Sequence, residues 1–303
     1  MMKTAPFTGI HPMLYALFGA DGRLDRAAMR RQVEACLAQG AHGLAVLGLA
    51  SEVGKLSGAE KRQLLEWVGE DLDRRRPLAA TISGTSPTEQ SELAQVAAAN
   101  GADWLILQPP PDTSLGEIGL MRFFGAVMDR ATLPVAIQNA PEYLGIGLGD
   151  AALLDLARNH GNFVLLKGEA PAHAIHRTIL ETEGRLAVFN GRGGLELPDN
   201  LRAGCAGIIP GADLCDIQVQ IFEKMRGGGA ADEKAAEALY RRILPLLVFL
   251  MQSLDHLLCY GKRHLARRAG LGAVHDRAPA LAPDEFGLSC LARYSAEFGA
   301  IGP

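Results

Sequence analysis

The sequence predicts an α/β protein: a (β/α)8 TIM barrel over residues 1–228, extended by a helical region over residues 229–303. Three observations carry this. Eight short apolar segments of strand character alternate with helical ones, at spacings of about 20 to 40 residues. No Gly-x-Gly-x-x-Gly with an acid about 20 residues on follows the first strand, as an open dinucleotide-binding sheet would want. Beyond about Gly229 the pattern becomes wholly helical.

Each element has its own signal. Gly9 to Tyr15 reads as the first strand, and Asp21 to Asp25 as a turn carrying the cap of a helix that buries Met29, Val33, Cys36 and Leu37 and stops at Gly40. His42 to Gly48 is the second strand. Its loop leads to Ser57 and Glu60, which have capping-box spacing ahead of Leu64, Leu65 and Val68. Leu78 to Gly84 is the third strand, followed by a helix that opens at Pro87 and ends at Asn100-Gly101. Asp103 to Gln108 is the fourth, closed by three prolines, and a helix around Phe123, Val127 and Met128 precedes the fifth, Pro134 to Gln138. A helix with Leu153, Leu154 and Leu156 leads to the sixth, Phe163 to Lys167. After a helix from about Pro171, Leu186 to Asn190 makes the seventh strand and Cys205 to Ile209 the eighth. Gly191 to Gly194 is glycine-rich but lacks the Lys-Ser or Lys-Thr of a phosphate loop, so a close turn is expected there. In the helical region Pro245 should kink or break the helix. Its apolar residues exceed one amphipathic stripe, which suggests contacts between copies of the chain.

Composition narrows the function. Apolar residues make up 48% and charged residues 21%, as in ordinary globular proteins, and the net charge of -4 comes with no basic stripe, so nucleic acid is not an expected partner. No apolar run reaches the ~20 residues of a membrane span, and the start, Met1 to Pro6, has no apolar segment behind it, so no membrane partner and a cytoplasmic location are expected. Five widely spaced cysteines read as free thiols. His173 and His176, three apart, lack an acidic or cysteine partner at ligand spacing, and neither a metal nor another cofactor is expected.

Active sites of such barrels lie at the C-terminal ends of the strands. That rule selects Tyr15, Gly48 to Glu52, Gly84-Thr85, Gln108, Gln138-Asn139, Lys167 to Glu169, Asn190 to Arg192 and Pro210-Gly211. Of seven lysines only Lys167 stands at the tip of an apolar strand. A buried ammonium is costly unless paired or deprotonated, and a deprotonated lysine attacks carbonyl groups. A structural pairing with Glu169 is the alternative. A ketone condensed with Lys167 would become an iminium, an electron sink that acidifies the neighbouring carbon and permits aldol cleavage or loss of a β-hydroxyl. Both routes need a proton shuttle. Alternation places Glu169 on the lysine's face and makes it the first candidate, whereas Gln138 is limited to hydrogen bonding. Ala50 and Ser51 could supply N–H and hydroxyl donors to a substrate carboxylate, although Ser51 also fits a turn or cap role.

These residues together resemble the dihydrodipicolinate synthase and N-acetylneuraminate lyase family of Schiff-base lyases. The resemblance runs through Gly22 to Asp25, Gly43 to Leu56 with Leu-Ser-x-x-Glu after it, Gly101 to Asp103, Leu133 to Val135, Asn139 to Pro141, Lys167, and Gly204 to Ile209. It implies a (β/α)8 barrel with a C-terminal helical region, commonly a tetramer, in which Lys167 forms an imine with pyruvate or another 2-keto acid. Substrate contacts are then expected from Ala50, Ser51, Asn139, Gly191 and Ile209, and catalytic roles for Lys167, Glu169 and Gln138. The chain departs from the family pattern where Gly48 to Glu52 replaces Gly-Thr-Thr-Gly-Glu and where Gln138 replaces a tyrosine. Pro109 to Pro111 likewise replaces Pro-Tyr-Tyr, and Tyr143 stands at an arginine position. With Asp276 to Pro279, these features are more similar to the branch containing L-2-keto-3-deoxyarabonate dehydratase. The expected activity is therefore dehydration or aldol cleavage of a 2-keto-3-deoxy sugar acid, the small-molecule partner, by a homodimer or homotetramer. The alternatives are a dihydrodipicolinate synthase-like condensation of pyruvate and a non-catalytic 2-keto-acid binding protein.

Overall fold

The computed structural model describes residues 7–301; the first six residues, with the expectation drawn from them, lie outside the described residues. Its strands are β1 (Gly9–Ile10), β2 (Leu44–Val46), β3 (Leu78–Ile82), β4 (Trp104–Leu107), β5 (Val135–Asn139), β6 (Phe163–Gly168), β7 (Ala187–Asn190) and β8 (Gly207–Ile208). All pair in parallel in the ring order β1-β8-β7-β6-β5-β4-β3-β2. β1 is shorter than its apolar run because Pro12 has no N–H to give to a ladder. The ring still closes there: Leu14 N–H donates to the Ala45 carbonyl at 2.8 Å and Ala45 N–H to the Pro12 carbonyl at 3.0 Å.

The helices are α1 (Arg26–Ala38), α2 (Gly58–Leu72), α3 (Pro87–Ala99), α4 (Gly116–Met128), the single turn α5 (Pro141–Leu144), α6 (Asp150–Asn159), α7 (Ala172–Glu181), α8 (Leu197–Arg202) and α9 (Cys215–Gly227). Local chemistry sets their starts. Asp25 accepts the Ala28 N–H at 2.9 Å, Ser57 and Glu60 form the reciprocal capping box, and Ser86 caps α3 one residue before Pro87. Apolar strands and inward helix faces fill the barrel. Inside the barrel the Phe189 ring lies 5.1 Å from His11 and 5.4 Å from Trp104, an aromatic layer. Burial there pushes the His11 pKa down to about 4, against a hydrogen bond to the Thr8 carbonyl that raises it.

Past Gly228, α10 (Ala230–Leu250) continues through Pro245 without the break that a proline there allows. Pro245 sits on an exposed face, where the carbonyl of Arg241 that loses its partner is left open to water. The bend comes instead at Met251 to Ser253, where the chain turns by 108° into α11 (Leu254–His256). A π-helical turn, Leu257–Gly261, then leads into α12 (Lys262–Ala269), and α13 (Glu285–Ser295) follows. Among the described residues no single helix is long and apolar enough to cross a membrane.

Candidate active site

β6 delivers Lys167 to the C-terminal mouth of the barrel, where its register partners are Gln138 on β5 and Phe189 on β7. Lys167 and Glu169 are each only 5% exposed. Lys167 Nζ donates to Glu169 Oε1 at 2.5 Å, and Gln138 Nε2 donates to the same oxygen at 2.7 Å. One carboxylate oxygen is thus held by two donors, and Gln138 is buried beneath it with its own Oε1 unpartnered. A Cβ added at Gly191 would lie 2.8 Å from Glu169 Cγ, so the absence of a side chain there gives Glu169 its place.

The remaining expected residues divide into two groups. Ala50, Gly191 and Ile209 line the same cleft as Lys167 and Glu169, which encloses about 480 Å3 including its open mouth. Ser51 and Asn139 do not. The Ser51 hydroxyl donates to the Leu14 carbonyl at 2.5 Å and its N–H to the Gly48 carbonyl at 3.0 Å, so its donors are taken up inside the turn; the turn role prevails. The Ala50 N–H makes no hydrogen bond among the described residues and faces no such competition. Asn139 accepts the Leu148 N–H at 2.8 Å and donates to the Leu148 carbonyl at 2.9 Å, which staples the loop carrying α5. Its contribution is therefore to place Tyr143, which does line the cleft. Burial, then the charge of Glu169, pushes the Tyr143 pKa up, and the neighbouring Arg192 guanidinium opposes this.

Several contacts that build the site escaped the sequence. The β2 loop is anchored from a distance: Glu52, buried and left-handed at φ 52°, accepts from Lys55 at 2.5 Å and pairs with Lys262 of α12. Met251, Leu254 and Leu257 roof the cleft from the helical region. The surplus apolar residues between Ala235 and Leu258 were the available signal, and part of that surplus covers the site. The loops at 142–148 and 191–194 reach the cleft through Tyr143 and through Gly191 to Gly193, and residues 109–115 do not line it.

A lysine and a carboxylate in this position, in a barrel mouth, are equipment for carbonyl chemistry, and comparison with known proteins decides the family. The model of the dihydrodipicolinate synthetase family matches residues 6–283. The chain belongs to this family. Membership places it among lyases that act through a Schiff base. It is 32% identical over 182 residues to YagE of Escherichia coli strain K12, named a 2-dehydro-3-deoxy-D-gluconate aldolase, a match covering 60% of each chain. It is 30% identical over 287 residues, 90% of each chain, to the 4-hydroxy-tetrahydrodipicolinate synthase of Stenotrophomonas maltophilia strain R551-3. Among solved structures it resembles that of YagE in complex with pyruvate, with a TM-score of 0.86 and 26% identity, covering 97% of this chain and 99% of the other.

Proposed function

We propose that this chain is a lyase that dehydrates or cleaves a 2-keto-3-deoxy sugar acid through an imine on Lys167. The observation that carries the proposal is the buried Lys167–Glu169 pair at 2.5 Å, with Gln138 on the same oxygen. Transfer of a proton from the ammonium to the carboxylate leaves a neutral amine, and the amine nitrogen attacks C2 of the substrate. The resulting carbinolamine loses its hydroxyl as water, the proton for that water coming back from Glu169, and the iminium forms. Gln138 Oε1, buried and unpartnered, accepts a hydrogen bond from the carbinolamine hydroxyl. The substrate carboxylate lies at the Ala50 N–H.

From the iminium, Glu169 serves as the base in either route. Removing a C3 proton gives an enamine that expels the C4 hydroxyl; the proton returns from Glu169 so that water leaves, and an α,β-unsaturated iminium remains for hydrolysis. Removing the C4 hydroxyl proton instead breaks the C3–C4 bond, releases an aldehyde and leaves the enamine of pyruvate. The two routes share one imine and one base, and YagE, named for an aldolase activity, supports a sugar-acid substrate. Glu169→Gln separates a lyase from a pure binder. The variant still forms the imine, more slowly because solvent must take up and return the proton that Glu169 carries, and turnover falls by roughly 100- to 10,000-fold, the usual range for loss of a general acid–base group. A panel of 2-keto-3-deoxy sugar acids scored for pyruvate release and for water loss then assigns the route; no turnover with any of them would contradict the proposal.

Self-association belongs to the same proposal. Val248, Leu281, Phe286 and Leu288 are exposed large apolar residues on the helical region, and Phe286 is 79% exposed.

A further inference from the structure

Arg192 is the cleft residue that the imine chemistry leaves without a task. It sits two residues beyond the end of β7, beside Gly191 and its contact with Glu169, and it lines the cleft that holds Lys167. Its backbone is left-handed, at φ 53°, a conformation that costs a non-glycine residue free energy and concentrates at functional positions. Gly193 at φ 64° and Gly194 at φ 90° continue the turn, and a Cβ at Gly193 would collide with Met251 Sδ at 2.4 Å, so the roof packs directly on this loop. The side chain is only 19% exposed. Nη1 donates to Glu196 Oε2 at 3.1 Å and the Tyr143 hydroxyl neighbours the guanidinium, whereas Nε is buried without any partner.

A guanidinium held at Nη1 leaves its Nε–H unmet, and the Nε–Nη2 edge offers two parallel N–H donors. Two parallel donors match the two oxygens of a carboxylate. A buried Nε–H with no acceptor carries a desolvation cost that an incoming acceptor removes. The 2-keto acid's own carboxylate is assigned to the β2 loop, so the acceptor at Arg192 belongs to the other end of the molecule. A single primary hydroxyl would engage one donor of the pair and leave the second unmet. A phosphate ester would bring about two negative charges to a guanidinium already shared with Glu196.

We propose that Arg192 binds a second carboxylate at the far end of the substrate, so that the preferred substrates are dicarboxylic 2-keto acids of the aldarate type. The inference rests on the 2-keto-acid reading of the site and narrows it. Matched probes without a 4-hydroxyl test it, since they cannot be cleaved: 2-oxoglutarate against 5-hydroxy-2-oxopentanoate, and 2-oxoadipate against 6-hydroxy-2-oxohexanoate. Calorimetry on the full chain should give the diacid of at least one pair about tenfold tighter binding or more. Arg192→Ala should abolish that preference and Arg192→Lys should restore only part of it, while pyruvate, which has no far end, binds wild type and both variants alike. Equal binding within both pairs, a preference that survives Arg192→Ala, or tighter binding of a phosphate-terminated analogue would overturn the assignment. Borohydride treatment of the same mixtures keeps the two readings apart: a missing adduct on Lys167 rejects the imine, whereas the diacid preference is read from binding alone.

Discussion

At the scale of single residues, the site depends on where one carboxylate is held. Lys167 and Gln138 fix one oxygen of Glu169, and the bare Cα of Gly191 makes room for its methylene chain. Gly191→Ala should therefore push Glu169 off its position without disturbing the core. The expected result is a fall in kcat of roughly 10- to 100-fold, because small displacements of a catalytic group cost that much, with an unchanged circular dichroism spectrum. A Gly191→Ala variant with wild-type kcat would show that this contact does not position the acid. Lys167 and Glu169 were legible in the sequence because alternation along a strand puts i and i+2 on one face. Ser51 and Asn139 were not, because residue type and strand-end position do not say whether a polar side chain faces the substrate or its own backbone. Both spend their hydrogen bonds on nearby main chain, at Leu14 and Leu148.

At the scale of elements, strands and helix caps followed their local signals, and the helical region did not. Pro245 marks no break in α10 since its exposed setting lets water satisfy the freed carbonyl. Pro245→Ala restores the i to i−4 hydrogen bond to Arg241 and removes the ring clash, so the helix should gain stability. The gain should be roughly 1 to 3 kcal/mol, read from the midpoint of urea unfolding. A lowered midpoint would mean that the proline fixes a geometry the fold requires. The roof formed by Met251, Leu254 and Leu257 could not be read from sequence, because periodicity shows that a helix has excess apolar surface and not what covers it.

At the scale of the whole molecule, the barrel was readable from the repeated alternation of strand and helix, and two buried histidines give the fold a dependence on pH. His11 and His264 are buried and their pKa values fall to about 4 and about 3, in both cases chiefly through burial. Both are neutral when folded, whereas the unfolded chain takes up protons below the ordinary value near 6.5. Their contribution to stability is complete above that value and is lost as pH falls toward the folded values. Each should add a slope approaching ~1.4 kcal/mol per pH unit below about pH 6. Urea midpoints taken from pH 7.5 to 4.5 should decline accordingly, and His264→Leu should flatten the decline; a midpoint constant over that range would contradict the account. The joined claim of fold and site is that this barrel presents one amine for imine formation. Borohydride reduction with pyruvate, followed by peptide mass spectrometry, tests it most directly. A single reduced pyruvate adduct is expected on the peptide containing Lys167, absent from Lys167→Ala, and an unmodified Lys167 in wild type with every 2-keto acid tried would rule out the imine.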